Sequence, residues 1–369
     1  MKVDGRPYRT IWLAKDGRSV DVIDQTKLPH AFAVVQWRTM QDAAEGIRTL
    51  VVRGAPLIWV AGAYGLALAL KSDASDTALA HAYEALLSTR PTAVNLAWAL
   101  STVQAEVQPL APPLRAEAAY RQAAQLADAD VECCRSIGAH GARLIADAYE
   151  ANGKSRAVNI LTHCNAGWLA TVDWGTALAP VYVAHDAGIP VHVWVDETRP
   201  RNQGASLTAW ELLQHGVPYT VIADNVGGHL MQHGQVDLCL VGSDRTTATG
   251  DVCNKIGTYL KALAAHDNGV PFYACVPSST IDWTLSDGVQ QIPIEQRDGR
   301  EVSEISGMTA DGHVATVRLT PAGSPVANYA FDVTPARLMS GIVTERGIAV
   351  ASRAGLGALF AENTIGENR

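Results

Sequence analysis

The run His163-Cys164-Asn165 closes the apolar stretch Val158–Leu161 and is followed by Gly167. A thiol between two hydrogen-bonding side chains at a strand end suits a base or nucleophile, because the thiolate is the reactive form. The residues after Gly167 read as helix, and a cysteine just ahead of a helix N-terminus is expected to feel the positive end of the dipole, which favours thiolate. The bland alternative, a small apolar filler, is the usual fate of a lone cysteine. It suits Cys239 and Cys275, which lie inside apolar runs. A later run, "LCLVG", leads into Asp244. A carboxyl against such an apolar wall is expected to hold its proton and act as a general acid; its ordinary role would be a cap or a partner for Arg245. Asn254 and Lys255 come next, near the expected start of a helix, where an ammonium and backbone N–H groups can hold a phosphate. Arg53 in "VRGAP" and Arg90 in "STRPTAVN" stand at helix boundaries beside glycine or proline. Arginine there is commonly a solvated charge, but a fixed loop lets it clamp an anion.

The elements that must position these residues change character along the chain. Two short strand-like runs flank Asp16-Gly17, a hairpin turn signal. Residues from about 40 to 150 read as Ala- and Leu-rich helices, broken at Pro91, Pro109 and Pro112-Pro113. After Gly153, apolar runs alternate with helical stretches: "AVNIL", "VHVWV", "YTVIA", "VDLCLV" and "PFYACV". Near-continuous apolar strands separated by helices indicate a parallel sheet covered on both faces. The expected fold is therefore α/β: a mainly helical N-terminal domain with a small β-hairpin over residues 1–152, then a Rossmann-like, doubly wound parallel-sheet domain over 153–369. In such sheets ligands bind beyond the carboxyl ends of the strands. Cys164, the "VDETRPRNQG" segment and Asp244 all fall at such ends.

Composition narrows the function. The chain has 369 residues, 48% hydrophobic and 18% charged, with a net charge of −8, so a broad polyanion-binding surface is not implied and no nucleic-acid partner is expected. Six cysteines without C-x-x-C spacing argue against a zinc site and against a secreted disulfide framework. With no apolar signal-like run at the N-terminus, the cytoplasm is the expected compartment. Gly54–Leu70 lacks charge but falls short of the roughly 20 residues of a membrane span, and its small residues suit a buried helix. No G-x-G-x-x-G follows a strand, and "AYEANGKS" has Ala148 where a phosphate-binding loop needs glycine. Neither a cofactor nor a metal is expected.

Six motifs in order, "VRGAP", "RPTAVNL", "THCNAG", "DETRPRNQGASLTAWEL", "GSDRTTATGDVCNKIGTY" and "AFDVTPARLMSGIVTERG", closely resemble those of the methylthioribose-1-phosphate isomerases, within the translation initiation factor 2B α/β/δ subunit family. The resemblance runs from near the N-terminus to about residue 350. It implies a homodimer that converts 5-methylthioribose 1-phosphate to 5-methylthioribulose 1-phosphate in methionine salvage. It also implies Cys164 and Asp244 as the catalytic pair, with Arg53, Gly54, Ala55, Arg90, Gln203, Asn254 and Lys255 on the substrate. Leu57, Trp59, Ser243, Thr246, Thr249 and Tyr329 depart from the family's usual residues; Trp59 and Thr246 are the two expected to reshape the pocket. Ribose-1,5-bisphosphate isomerase, a 5-deoxyribose 1-phosphate activity and a non-catalytic binding subunit are the competing readings. The last would have no use for the Cys164 and Asp244 pair.

Overall fold

The protein, seen in a computed structural model, is described for residues 1–90 and 94–363. Two compact units form, one of residues 1–135 with 167–175, the other of residues 136–166 with 176–369. The 40-residue helix Pro112–Ala151 contributes to both, so the units part inside it, ahead of the first strand of the main sheet.

The first unit is mainly helical. Strands Ile11–Leu13 and Val20–Ile23 form the hairpin around Asp16-Gly17, and Val34–Trp37 adds a third antiparallel strand. The charge-free segment forms the helix Ala55–Ser72, and 14 of its 18 residues are buried, which makes it a core helix. It is the one helix among the described residues long and apolar enough to cross a membrane. Its core partners include Ile47, Leu86, Leu96 and Leu100 from three neighbouring helices.

The second unit is built on a seven-stranded sheet. Its strands are β1 (Val158–Thr162), β2 (Val191–Asp196), β3 (Tyr219–Ile222), β4 (Leu238–Val241), β5 (Phe272–Cys275), β6 (Gly341–Thr344) and β7 (Gly347–Ala349). The spatial order is 7-6-5-4-1-2-3, parallel except for β7. All four residues of β4 are buried, which explains the unbroken apolar run "LCLV". From β1 the chain moves outward through β2 and β3, then returns to lay β4 on the other side of β1, where Ile160 pairs with Leu238. With right-handed crossovers, that reversal sends the helices before and after it to opposite faces and leaves a crevice at the carboxyl ends of β1 and β4.

One expectation fails locally. The residues after Gly167 do not form an α-helix: Trp168–Ala170 is a single 3-10 turn, and an antiparallel bridge between Gly167 and Gly175 closes the loop. The next helix begins only at Ala179. Apolar spacing suggested helix here, but the two glycines approach backbone to backbone and the Thr171 hydroxyl accepts the Gly175 N–H, so local loop bonds replace helical ones.

Within the first unit, Asp130 on the long helix is 2% exposed and accepts the Val172 N–H at 2.8 Å. Burial pushes its carboxyl up to about 7; the Val172 N–H pulls it down, and Asp173 adds repulsion. A folded-state value above the unfolded one means the folded chain holds the extra proton between about pH 4 and 7, so stability falls as pH rises through that window. Asp130→Asn keeps an acceptor for Val172 and removes the titration. Urea unfolding is expected to show the variant gaining about 2–4 kcal/mol on the wild type at pH 8 and little at pH 4.

Candidate active site

Cys164 is the second residue of the loop after β1 and is 7% exposed, with φ at +68°. A non-glycine residue in the left-handed region persists only where its surroundings hold it. Here the Cys164 N–H donates to Thr198 Oγ1 at 2.8 Å, and the Cys164 carbonyl accepts from Thr208 Oγ1 at 2.7 Å. The thiol lies 3.5 Å from Gln203 Oε1. In that orientation Gln203 accepts from the thiol; with its amide turned over it would donate an N–H to the thiolate. The helix-dipole activation expected of Cys164 is not available along the chain, because no α-helix starts there.

Thr198 and Gln203 belong to the loop after β2, the "DETRPRNQG" segment, whose backbone is fastened from several directions. Asp224 accepts the N–H groups of Thr198 and Arg199 at 2.7 and 2.8 Å. Arg199 reaches the carbonyl of Val302, and Arg201 pairs with Glu301, so these two arginines hold the loop. A Cβ on Gly204 would lie 1.7 Å from the Asp196 carbonyl oxygen, so only glycine lets the chain turn back there, into a five-residue π-helical turn, Gly204–Thr208.

Asp244 follows β4, two residues past Gly242. It is exposed, so the apolar wall expected around its carboxyl is not supplied by burial in the chain itself. Its N–H donates to the Cys253 carbonyl at 2.9 Å. It opens a small sheet in which Arg245–Thr247 pairs antiparallel with Val252–Lys255. Asn254 and Lys255 therefore sit on a strand, a few residues ahead of the helix whose start they were expected to be near. The alternation "VCNK" pairs with "FDVT" of Phe331–Thr334, and all four of its residues are buried. Lys255 is 8% exposed with its ammonium 4.8 Å from the Phe331 ring centroid, and Asn254 Nδ2 donates to Thr258 Oγ1 at 3.0 Å. The helix Thr258–Asp267 does follow, but Asp332 already accepts the N–H groups of Gly257 and Tyr259 at its N-terminus. A carboxylate thus stands where a phosphate was expected.

The structure brings Cys164 beside Gln203, and Asp244 beside the strand of Asn254 and Lys255; the two groups end the adjacent parallel strands β1 and β4. Arg53, Gly54, Ala55 and Arg90 lie in the first unit. Gly54, φ +95°, caps the N-terminus of the helix Ala55–Ser72, with Arg53 ahead of it and Pro56 within its first turn. Arg90 ends the segment after Asp76–Leu87, and residues 91–93 of its motif lie outside the described residues.

Sequence reasoning missed a buried charge cluster. His163, 1% exposed, lies 2.8 Å by Nδ1 from Asp196 Oδ2, and Lys261 Nζ approaches the same oxygen at 3.3 Å. Burial raises the Asp196 carboxyl from its ordinary value, opposed by His163 and Lys261. The signal available was the immediate neighbour of the candidate base, a histidine directly after a largely apolar strand. His163, Asp196 and Asp224 are the one group with metal-ligand spacing among the described residues. Asp196 Oδ2 and both Asp224 oxygens are engaged, however, by His163, the Lys261 ammonium and two backbone N–H groups. The sequence also contains one His-x-x-x-His pair, His229 and His233, whose tilted rings lie 4.2 Å apart while His233 Nδ1 bonds the His229 carbonyl.

The initiation factor 2 subunit family model matches residues 51–350. The chain belongs to that family. It is 66% identical to the methylthioribose-1-phosphate isomerase of Methylobacterium nodulans, covering 98% of this chain and 99% of that one. It is 64% identical to the protein of that name from Paramagnetospirillum magneticum, over 98% of this chain and 99% of that one. Among solved structures, the 5-methylthioribose 1-phosphate isomerase of Pyrococcus horikoshii superposes with a TM-score of 0.84 at 40% identity, covering 96% of both chains. The translation initiation factor eIF-2B delta subunit of A. fulgidus gives 0.80 at 35%, covering 96% of this chain and all of that one. Family membership alone thus spans relatives named as enzymes and relatives named as translation factors, and the site must separate them.

The departures from the family pattern have local accounts. Leu57 is fully buried, and Trp59, 6% exposed, meets the tilted Trp98 ring at 4.9 Å, so both fill core positions of the first unit. The Thr246 hydroxyl is buried against Ser243 Oγ at 2.9 Å, Thr249 bonds Thr247, and Tyr329 is exposed.

Thr198→Val removes the acceptor for the Cys164 N–H and leaves that group buried. It is expected to lower the unfolding free energy in urea by about 1–3 kcal/mol, with Thr198→Ser restoring most of the loss.

Proposed function

We propose that this chain is an aldose–ketose isomerase that converts 5-methylthioribose 1-phosphate to 5-methylthioribulose 1-phosphate in methionine salvage. The observation that carries the reading is the pair Cys164 and Asp244 at the ends of adjacent strands β1 and β4, where the strand order reverses. A binding subunit of the same family would need neither group. The names and near-full-length coverage of the relatives support the same reading.

The substrate sets the chemistry. Its anomeric oxygen carries the phosphate, so opening the ring cannot release a free aldehyde. Asp244, exposed in the free chain and protonated as the bound phosphosugar covers it, donates its proton to the ring oxygen as the C1–O bond breaks, leaving cationic character at C1. Hydride then migrates from C2 to C1, and the Cys164 thiolate takes the proton of the C2 hydroxyl as the ketone forms. Proton return from Cys164 to Asp244 through solvent resets the pair, and no external oxidant or reductant is needed. The low exposure of Cys164 favours this route over an enol phosphate, in which the thiolate would take the C2 hydrogen as a proton. Arg53 and the first turn of the helix at Gly54 and Ala55 supply an anion-binding corner, by charge and by backbone N–H groups. Arg90, Gln203, Asn254 and Lys255 complete the substrate contacts. We place the enzyme in the cytoplasm as a homodimer without cofactor, with a helical domain over residues 1–152 and a catalytic domain over 153–369. Its six free cysteines are in keeping with a reducing compartment.

Incubating the protein with 5-methylthioribose 1-phosphate and following the sugar carbons by NMR is expected to show the ketose phosphate. Cys164→Ser and Asp244→Asn should each lose at least about a hundredfold in rate. In deuterated water C1 of the product should stay unlabelled; substantial deuterium there would replace the hydride route with the enol one. No turnover by folded wild type would redirect the assay to 5-deoxyribose 1-phosphate and ribose 1,5-bisphosphate, and failing those to the binding-subunit reading.

A further inference from the structure

We propose that His163 is a positioning residue that ties the strand end carrying Cys164 to the strand end carrying Asn254 and Lys255, through one imidazole N–H bond to the Ile256 carbonyl. The inference rests on the isomerase reading of those residues and adds a residue to it.

His163 Nε2 lies 2.8 Å from the Ile256 oxygen. A carbonyl only accepts, so Nε2 carries a hydrogen. The Ile256–Gly257 peptide is then held at both polar ends, because its N–H donates to Asp332 Oδ2 at 2.7 Å. Gly257, φ +103°, lies flat against the ring: a Cβ there would come within 3.0 Å of the imidazole Cε1. This clamped peptide directly follows Lys255. On the other side of the ring, Nδ1 meets Asp196 Oδ2 at 2.8 Å. The carbonyl of the same Asp196 accepts from Thr198 Oγ1 at 3.0 Å, and that hydroxyl oxygen accepts the Cys164 N–H. One imidazole therefore bonds both supports, the residue behind the Cys164 loop and the peptide behind Lys255. Plain packing does not call for such a cluster, since buried ion pairs often stabilise no better than apolar side chains of the same volume. Here Asp196 Oδ1 is left buried with no hydrogen-bond partner among the described residues. Relative placement of the base and the substrate contacts Asn254 and Lys255 is the return, and errors near 1 Å in such placement cost on the order of a hundredfold in rate.

The test uses two replacements of similar polarity and different reach. Glutamine can put its amide N–H near the position of Nε2, whereas asparagine reaches only the position of Nδ1. His163→Asn is expected to lower kcat/KM for 5-methylthioribose 1-phosphate by about 10- to 100-fold, with KM rising as well as kcat falling. His163→Gln should stay within about tenfold of wild type, while both variants melt at similar temperatures. Wild-type kinetics in His163→Asn, or equal losses in both variants that follow their melting temperatures, would overturn the proposal. Should neither variant fold, nitrogen-15 NMR of histidine-labelled wild type decides. A protonated, slowly exchanging Nε2 from about pH 6 to 9 is expected, and an unprotonated one refutes the tether. Absence of turnover in wild type would fail the isomerase reading alone, since the NMR result reads the tether without substrate.

Discussion

Parallel pairing of β1 with β4 is the constraint on which the rest of the second unit depends. The two strands are 78 residues apart where Ile160 meets Leu238, yet they are neighbours in the sheet. Because the chain winds outward from β1 in one direction and from β4 in the other, no crossover helix covers their shared end. The side chains proposed for the chemistry come from segments that follow these strands and β2: the thiol from the loop after β1, the amide of Gln203 from the loop after β2, the carboxyl and Lys255 from the hairpin-like excursion after β4.

Holding reactive groups at such an end has a conformational cost, and the structure shows where it is offset. Cys164 and Thr198 both take left-handed backbone conformations unfavourable to residues with a Cβ. They are bonded to each other, Cys164 N–H to Thr198 hydroxyl, so each strained residue helps to fix its neighbour. Beneath them Asp196 serves twice, by its carbonyl toward Thr198 and by its carboxylate toward His163 and Lys261. Polar atoms buried this deeply specify one arrangement sharply, because every alternative leaves more of them unpaired.

The first unit is organised by a different force. The helix Ala55–Ser72 is apolar on nearly all sides and buries most of its length among neighbouring helices, so its position is set by close packing more than by polar bonds. Its N-terminus, with Gly54 and Arg53, is a polar end on an otherwise apolar rod. Core filling also accounts for Leu57 and Trp59, whose differences from the family pattern therefore bear on packing first.

Much was legible from the residues alone. An unbroken apolar run such as "LCLV" pointed to a strand buried on both faces, and the alternation of apolar runs with helical stretches pointed to a parallel α/β sheet. The order of six motifs carried the family. Residue chemistry at strand ends singled out Cys164 and Asp244. What the sequence could not show were facts of pairing between distant segments. Strand order, and with it the shared end of β1 and β4, depends on which strands hydrogen-bond. The placement of Asn254 and Lys255 on a strand depends on Phe331–Thr334 lying beside them, and the helix N-terminus that follows is taken by Asp332 from the same distant strand. The glycine bridge that turned a helix-like stretch into a loop is likewise a backbone contact without a side-chain signature. Local pattern decides which residues must be buried and in what kind of element; only the folded chain decides which buried polar groups meet, because their partners come from other parts of the sequence.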